Sequence, residues 1–351
     1  MNLSSFERKL LAQIEPQIVG RTPGLQVQVH QTGRKIADLS VGDTYPYYDL
    51  ASQTKIIFTV QALMWAFEEG KWDLETKISD KLSWFPFSEI KVIECLNHSS
   101  GLQWWAPFYE QLDLQKTRGQ KWEDLKTKIA EIPLEKKEKS VYSDLGFLVL
   151  GYFLEQIYDL PLIEVWNRTK EQFYPRLSLD FHLDNQPKQP QRFYAPTERN
   201  DWRGKTLQGE VHDDNAWALG GVASHAGLFG SIDDVSWYGL FLRSQLKGIS
   251  KTLIRQKTAQ LFTARSLPLG KGDWALGYMM PTPGASTSGT YFSPYSIGHT
   301  GFTGTSFWYD PAQDLMVVIL ANRVLFGRDN HEFASLRPSI HNWVVEGLRR
   351  A

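Results

Sequence analysis

The sequence predicts an α+β fold, in which one antiparallel sheet is assembled from both ends of the chain and a helical lobe is inserted between its strands. Near the start, Leu25, Val27 and Val29 alternate with polar residues, which is typical of a half-buried strand. Near the end, residues 315–320 are all apolar, which is typical of a central strand. The segments between these two strands have helical periodicity.

The two ends of the chain supply the remaining elements of the predicted sheet domain. Residues 1–20 mix charged and apolar side chains and predict an amphipathic helix. A turn at residues 32–34 joins the first strand to a second at residues 36–41. Further strands and a last helix are predicted at residues 274–280, 304–309, 315–322 and 333–348. We therefore predict a discontinuous sheet domain of residues 1–58 and 262–351, flanked by N- and C-terminal helices.

The middle of the chain, residues 59–261, is predicted to form the helical domain. Its helix-like runs are residues 56–70, 89–96, 122–132, 144–157 and 233–246. One segment is an exception, because residues 184–209 are polar, contain Pro187, Pro190 and Pro196, and are too long for an ordinary connection. We predict that this segment is a loop that edges the active site.

Composition and charge exclude several classes of function. The chain has 351 residues, 42% of them hydrophobic, and a net charge of −1, which suits a globular protein with a large core. The sequence has no basic stripe with interleaved aromatic residues, so nucleic acid is not a predicted partner. The only cysteine, Cys95, lies in an apolar run, which predicts a buried, inert thiol and no redox function.

No segment of the sequence has the pattern of a membrane span or a signal peptide. Charged residues interrupt the apolar residues of positions 1–20, and the longest apolar run, residues 315–321, has only the length of a strand. The chain as written is predicted to be cytoplasmic, and periplasmic or extracellular if a leader was removed. No two histidines have the i, i+4 spacing of a zinc protease, so we predict no metal and no cofactor. The oligomeric state stays open.

Ser52 and Lys55 form the most informative motif of the chain. The irregular residues 47–51 run there into a helix-periodic segment, so the serine hydroxyl lies at a helix start. The Lys55 amine lies on the same helix face, because side chains three residues apart are neighbours. Amides at a helix N-terminus favour negative charge, so the Ser52 N–H suits half of an oxyanion hole. The motif predicts a serine acyl-transfer site.

The Ser-x-x-Lys pattern occurs twice more, and both copies have a structural explanation. Ser88 precedes a short apolar helix and is predicted to be its N-cap, with Lys91 solvated in the first turn. Ser244 and Lys247 fall at the end of a helix-like run just before a glycine, which suits a basic last turn. Only Ser52 combines a preceding turn with a long following helix.

Five further motifs accompany Ser52, and their order and spacing carry a family resemblance. They are Tyr142-Ser143-Asp144, His299-Thr300-Gly301-Phe302-Thr303-Gly304, and residues 96–102, 209–214 and 220–229. Together these motifs resemble the serine β-lactamase and penicillin-binding-protein-like family, close to class C β-lactamases, family VIII esterases, D-aminopeptidases and D,D-peptidases. The resemblance spans residues 25–322. It implies the β-lactamase/transpeptidase-like form of the predicted fold and a hydrolase with a covalent acyl-serine intermediate.

The resemblance also implies a role for each site residue. Ser52 is the nucleophile, and Lys55 takes or relays its proton. Tyr142 protonates the leaving group, with Lys55 and His299 as cationic neighbours that help a phenol to act at neutral pH. The backbone N–H of Phe302 is the second oxyanion donor. The residues implied to bind substrate are Asp144, Thr300, Gly301 and Phe302.

Two positions depart from the family's pattern and bear on the substrate. Asp144 replaces the usual Asn and, when ionised, cannot donate to a substrate carbonyl, so it pairs either with Lys55 or with a substrate's free amine. His299 replaces the usual Lys and, mostly neutral above pH ~6.5, is a weaker anchor for a carboxylate. We therefore predict an esterase or a D-amino-acid peptidase ahead of a β-lactamase or D,D-carboxypeptidase, acting on a small ester, amide or D-amino-acid peptide. A non-catalytic, penicillin-binding-like protein is the alternative.

Several other residues have more than one interpretation. Trp104, Trp105 and Tyr109 either wall the substrate cleft, pack in the core or form a surface patch. Tyr142, taken without its companions, would be an aromatic residue packing at a helix start. The residues predicted to be structural are His98, His225 and residues 212–214.

Overall fold

The computed structural model describes residues 3–135, 138–249 and 252–349, and it confirms the α+β fold. The strands are β1 (Gly24–Gln31), β2 (Arg34–Gly42), β3 (Tyr48–Asp49), β4 (Asp180–Phe181), β5 (Pro196–Asn200), β6 (Lys205–Gln208), β7 (Leu228–Gly230), β8 (Ile297–Thr300), β9 (Ser306–Asp310) and β10 (Leu315–Ala321). The α-helices are α1 (Ser5–Ile14), α2 (Gln61–Glu68), α3 (Val92–Leu96), α4 (Arg118–Ala130), α5 (Asp144–Tyr158), α6 (Leu162–Phe173), α7 (Asp214–Ala218), α8 (Ile232–Leu246), α9 (Gln256–Thr263) and α10 (Glu332–Arg349).

The central sheet is antiparallel, with the strand order β2-β1-β10-β9-β8, so both ends of the chain contribute to it. β1 pairs with β10, and Leu25 lies opposite Ala321. β10 lies at the centre and is buried along its whole length, which confirms the prediction from its unbroken apolar run. β8 lies at one edge and ends with His299 and Thr300.

Helices cover both faces of this sheet. α1 begins with a capping box, in which the side chains of Ser4 and Glu7 each accept a hydrogen bond from the other residue's backbone N–H. It packs with α10 on one face, where Leu10 shares an apolar cluster with Val27 and Ile340. On the other face, α8 contacts β1, β9 and β10. The strands are therefore buried from both sides.

The helical lobe is built around α5, whose residues 145–154 are all buried. A helix that is apolar on every side belongs inside a lobe. α5 contacts α2, α3, α6 and a π-helical segment, Lys55–Val60, that directly precedes α2. Short π-helical segments often occur at functional sites, and this one begins with Lys55.

Residues 274–280, which were predicted to form a strand, instead form a tight bend. The β contacts described for this segment are isolated bridges of Trp274 with Met279 and of Met279 with Gly298. Gly277 has a φ of +88°, a left-handed conformation that bends the chain out of an extended path. Most of the apolar residues here are buried without belonging to a strand.

Two other local predictions are also wrong. Residues 184–209 are not a continuous loop, because β5 and β6 pair there as a hairpin. The hairpin is attached to the C-terminal part of the chain, where the Asn322 side chain donates to the Pro196 carbonyl O at 2.8 Å. The N-cap of α3 is Lys91 and not Ser88.

The position of Cys95 agrees with the prediction that its thiol is buried and inert. Cys95 is buried in the core of the lobe, and burial raises the pKa of its thiol. Among the described residues, no single helix has the length and apolar character needed to cross a membrane. α5 and α6 reach that length only as a pair, which is bent by 77° at the break between them.

Candidate active site

The turn before Ser52 holds the serine at the start of its helical segment. The Asp49 carboxylate accepts hydrogen bonds from the backbone N–H groups of Ala51, at 2.8 Å, and His212, at 2.7 Å. Ala51 has a φ of +47°, a left-handed conformation that is uncommon outside glycine and is concentrated at functional sites. The buried Asp49 thus stabilises the strained turn that orients Ser52.

Lys55 is fully buried and its amine lies among three oxygen atoms. Its Nζ is 3.1 Å from Ser52 Oγ, 2.9 Å from the carbonyl O of His225 and 2.7 Å from the Asp144 carboxylate. Burial lowers the pKa of Lys55, and the charges of Asp144 and Asp213 partly oppose that shift. A lowered pKa makes it easier for a lysine to lose its proton and act as a base, and here that amine lies beside the serine hydroxyl.

Tyr142 approaches Ser52 from the other side and donates from its phenol O–H to Ser52 Oγ at 2.8 Å. The following residue, Ser143, is the N-cap of α5, and its backbone N–H donates to His98 Nδ1 at 3.0 Å. The His98 ring packs against the Tyr142 ring at 4.7 Å. Burial, and then the charge of Asp144, raise the pKa of Tyr142 well above its ordinary value. Tyr142 is therefore a protonated donor at neutral pH.

His299 lies close to this group but does not carry a charge. Its ring centre is 6.1 Å from that of Tyr142, and its Nδ1 is 2.8 Å from the carbonyl O of Thr300. Burial, and then the charge of Lys55, lower the pKa of His299 to about 3. The neutral imidazole cannot be the cationic neighbour of Tyr142 that the resemblance implied. The Thr300 hydroxyl makes a long contact of 3.8 Å with Met279 Sδ.

Gly301 brings the end of β8 against the turn that precedes Ser52. A Cβ atom at Gly301 would lie 2.7 Å from the Leu50 carbonyl O and 2.0 Å from Thr305 Oγ1, so only glycine fits. The Thr303 hydroxyl reinforces the contact by donating to the Asp49 carbonyl O at 2.8 Å. This packing places the Phe302 backbone beside the nucleophile.

Two backbone amides at this junction are free to bind an oxyanion. Within the described residues, neither the Ser52 N–H nor the Phe302 N–H donates to another group. The Phe302 carbonyl O accepts a hydrogen bond from Arg323 Nε at 2.9 Å, which holds the peptide in place. Donors fixed before the reaction are what oxyanion stabilisation requires.

Gly301→Ala is expected to impair both stability and catalysis, because the new methyl group meets the Leu50 carbonyl O at 2.7 Å. Overpacking of this kind costs about 1–3 kcal/mol. Urea unfolding and esterase turnover measure the two effects. Gly119→Ala on α4 is the matched control, since a Cβ there meets nothing within 4 Å. Equal unfolding free energies and turnover for the two variants would contradict the close approach of Gly301 to the Leu50 carbonyl O.

The structure shows the surroundings of Asp144 and of the three aromatic residues, Trp104, Trp105 and Tyr109, for which the sequence left more than one role open. The Asp144 carboxylate is mostly buried and pairs with Lys55, which favours that alternative over a contact with a substrate amine. Trp104 is 62% exposed, and its carbonyl O accepts a hydrogen bond from the Asp144 N–H at 2.9 Å. Trp105 and Tyr109 continue from it as partly buried rings. The three rings therefore run from an exposed Trp104 next to Asp144 to Tyr109, which packs against the edge of the core.

Sequence reasoning missed the polar network behind Lys55. His225 Nε2 lies 3.0 Å from the Asp213 carboxylate, while the His225 carbonyl O accepts from Lys55. Burial opposes ionisation of Asp213, but His225 and Lys55 together hold its pKa below the ordinary value. Asp213 and His225 had been predicted as purely structural. Their short motifs were visible, but their contact with Lys55 depends on the fold.

No metal centre stands out in the parts of the chain that the structure describes. There, no group of three or more His, Cys, Asp or Glu side chains has the arrangement needed to hold a metal ion. The chemistry available at Ser52 is that of a nucleophile between a base and a proton donor, with two amides for a developing oxyanion. The absence of a metal and a cofactor stays a prediction.

Comparisons with known proteins show which family the chain belongs to. The β-lactamase family model matches residues 11–336. The chain is 33% identical over 369 aligned positions to the N-acetylmuramyl-L-alanine amidase of Bacillus subtilis, covering 90% of this chain and 80% of that protein. It is 32% identical over 317 positions to a Salmonella gallinarum protein named as a D-alanyl-D-alanine carboxypeptidase, covering 80% and 70%. A class C β-lactamase from Rhodobacter sphaeroides has the same fold, with a TM-score of 0.67, 18% identity, and coverage of 97% of this chain and 99% of that one. The chain therefore belongs to the β-lactamase family and is a serine hydrolase.

Proposed function

We propose that this protein hydrolyses the amide bond between the lactyl carbonyl of an N-acetylmuramyl group and an L-alanyl peptide. The observation that carries the proposal is the position of Ser52 Oγ, 3.1 Å from Lys55 Nζ and 2.8 Å from the Tyr142 phenol. A serine between a base and a proton donor suits an amide, because the amine leaving group must be protonated as it departs. The similarity to the Bacillus subtilis amidase supports this choice of amide.

In the acylation step, Ser52 Oγ attacks the carbonyl carbon while Lys55 Nζ takes the serine proton. The amides of Ser52 and Phe302 stabilise the oxyanion that forms. Tyr142 gives its phenol proton to the amide nitrogen, the C–N bond breaks and the peptide leaves as a neutral amine. The enzyme is left with an ester on Ser52, an ammonium on Lys55 and a phenolate on Tyr142.

Hydrolysis of the ester restores all three groups. A water molecule gives one proton to the Tyr142 phenolate as its oxygen attacks the acyl carbon. The bond to Ser52 Oγ then breaks, and the Lys55 ammonium returns a proton to the serine. The products are a free muramyl carboxyl group and the peptide amine, and the enzyme ends with the protons it began with.

The state of His299 supports a substrate without a carboxylate near the scissile bond. Its pKa of about 3 leaves the ring neutral, so the edge strand offers no charge at that position. A second candidate, D,D-carboxypeptidase activity, is supported by Arg337, whose Nη2 donates to the Gly301 carbonyl O at 2.8 Å. This buried guanidinium places a positive charge behind the end of β8, and that charge would attract a substrate carboxylate bound there.

A labelling experiment and a substrate panel test the proposal. One fluorophosphonate adduct per chain is expected by intact mass, and none for Ser52→Ala. N-acetylmuramyl-L-alanyl-D-isoglutamine should release a peptide amine faster than an acylated D-alanyl-D-alanine releases alanine. The reverse preference would favour the second candidate. Labelling at a residue other than Ser52 would refute the mechanism.

A further inference from the structure

An aromatic row extends from the active site across the surface. It consists of Trp104, Trp105, Tyr109, Trp202 and Trp217, whose successive ring centres are 5.7, 6.4, 4.7 and 5.2 Å apart. Trp104 and Trp202 are 62% and 41% exposed, although large apolar rings are normally buried. Contiguous exposed aromatic surface beside a catalytic site marks a place where a ligand binds.

A second row, of charged residues, lies beside the aromatic row. Within this charged row, Arg328 pairs with Glu198 at 3.0 Å and lies 3.4 Å from Asp214, which also pairs with Arg203 at 2.7 Å. The Arg203 guanidinium lies 4.8 Å from the Trp217 ring, so the two rows meet there. Each carboxylate of the charged row is paired with a guanidinium group, and of these four side chains only Arg328, which is 46% exposed, reaches the surface. An exposed guanidinium can donate hydrogen bonds to the oxygen atoms of a polar ligand.

The two rows are attached to the catalytic group at opposite ends. The aromatic row begins at Trp104, whose carbonyl accepts from the N–H of Asp144, the partner of Lys55. The charged row reaches Phe302 through His212, which lies 3.3 Å from Glu198 and stacks on the Phe302 ring at 5.4 Å. The chain of contacts therefore starts and ends beside Ser52.

Hydrogen bonds from α7 hold one part of the aromatic row in place. The Asn215 side chain accepts from the Tyr109 N–H and donates to the Ala106 carbonyl O, both at 2.9 Å. This fixes the segment that carries Trp104 and Tyr109 onto α7. A surface that is ordered in advance loses little entropy when it binds.

We propose that the aromatic row is the subsite for the sugar ring of the substrate, an inference that rests on the proposed amidase function. A pyranose presents an apolar face of C–H groups, which stacks on an exposed indole, and a rim of hydroxyl and acetamido groups. The exposed Arg328 guanidinium suits that rim, because hydrogen bonds from charged groups are strong. The acyl part of the proposed substrate carries the sugar, so the ring remains on this surface while the acyl group is attached to Ser52.

Binding to an inactive enzyme tests the subsite separately from catalysis. Ser52→Ala should bind intact N-acetylmuramyl-L-alanyl-D-isoglutamine in calorimetric titration, and adding Trp202→Ala should weaken that binding roughly tenfold, as expected for one lost stacking contact. Adding Trp237→Ala, which removes a tryptophan that is 40% exposed on α8 and stacked on Phe241, should change nothing. Equal affinity with and without the Trp202 ring would overturn the proposal, whether or not the enzyme proves to be an amidase.

A matched pair of substrates provides the second measurement. Trp202→Ala in the active enzyme should lower kcat/KM about tenfold for N-acetylmuramyl-L-alanyl-D-isoglutamine. It should leave kcat/KM unchanged for N-(D-lactyl)-L-alanyl-D-isoglutamine, which has the same amide bond and no sugar. Equal losses on both substrates would show that the aromatic row does not recognise the sugar and would refute the inference.

Discussion

Lys55→Ala is expected to reduce kcat for amide hydrolysis roughly a thousandfold or more, and Ser52→Ala and Tyr142→Phe should have effects of similar size. The three groups are joined through Ser52 Oγ, with contacts of 3.1 Å to Lys55 and 2.8 Å to Tyr142. Since each proton transfer needs both neighbours, the losses should not add. The double variant Ser52→Ala/Lys55→Ala should be little worse than either single variant in steady-state kinetics.

Lys121→Ala is the matched control for this series. Lys121 is also buried, on α4, and burial also lowers the pKa of its amine. Its removal should leave kcat within a factor of about two, because most substitutions outside a catalytic group act on stability. Additive losses across the series, or an equal loss for Lys121→Ala, would mean that Lys55 does not act as the base for Ser52.

The protein is expected to lose stability steeply between about pH 6 and pH 4. Burial lowers the pKa of five histidines, and the shift is largest for four of them: His299 to about 3, His182 and His341 to about 4, and His98 well below its ordinary value. The folded state keeps these rings neutral, while in the unfolded chain they take up protons below pH ~6.5. The contribution of these neutral histidines to the free energy of unfolding is therefore fully present above pH ~6.5. It falls as the pH decreases toward their pKa values in the folded state.

Each proton bound only by the unfolded chain changes the free energy of unfolding by about 1.4 kcal/mol per pH unit. Four such protons give a slope of roughly 5 kcal/mol per pH unit. Urea unfolding at pH 8, 7, 6 and 5 measures this slope. His341→Gln should reduce the slope by about one proton, whatever it does to the absolute stability. A flat stability profile from pH 7 to pH 5 would contradict the neutral state of these rings.

The sequence predicted the parts of the fold that local patterns determine. Alternation in β1 and the apolar run of β10 identified the sheet, because burial on one face or on both faces leaves those patterns. The β5–β6 hairpin was missed, since its residues are polar and its position depends on contacts such as that of Asn322 with Pro196. Residues 274–280 predict a strand because a buried bend and a buried strand both leave a short apolar run in the sequence.

The site was predictable to a similar degree. Ser52 and Lys55 are neighbours on a helix, so their spacing was enough to bring them together. Tyr142 and His299 came only from the family resemblance, because they lie far away in the sequence. The lowering of the His299 pKa to about 3 and the contact of His225 with Lys55 could not be predicted, since both arise from burial among residues of several separate segments.

The pairing of β1 with β10 also determines when the enzyme can become active during synthesis. The ribosome releases Ser52 and Lys55 early, but β8, β9 and β10, with the glycine that abuts the nucleophile's turn, emerge nearly 250 residues later. Contacts that close so long a loop are slow to form, because the chain entropy is lost before the contacts compensate for it. A nascent chain thus carries its nucleophile without an oxyanion site, and catalytic competence arrives only with the last strands.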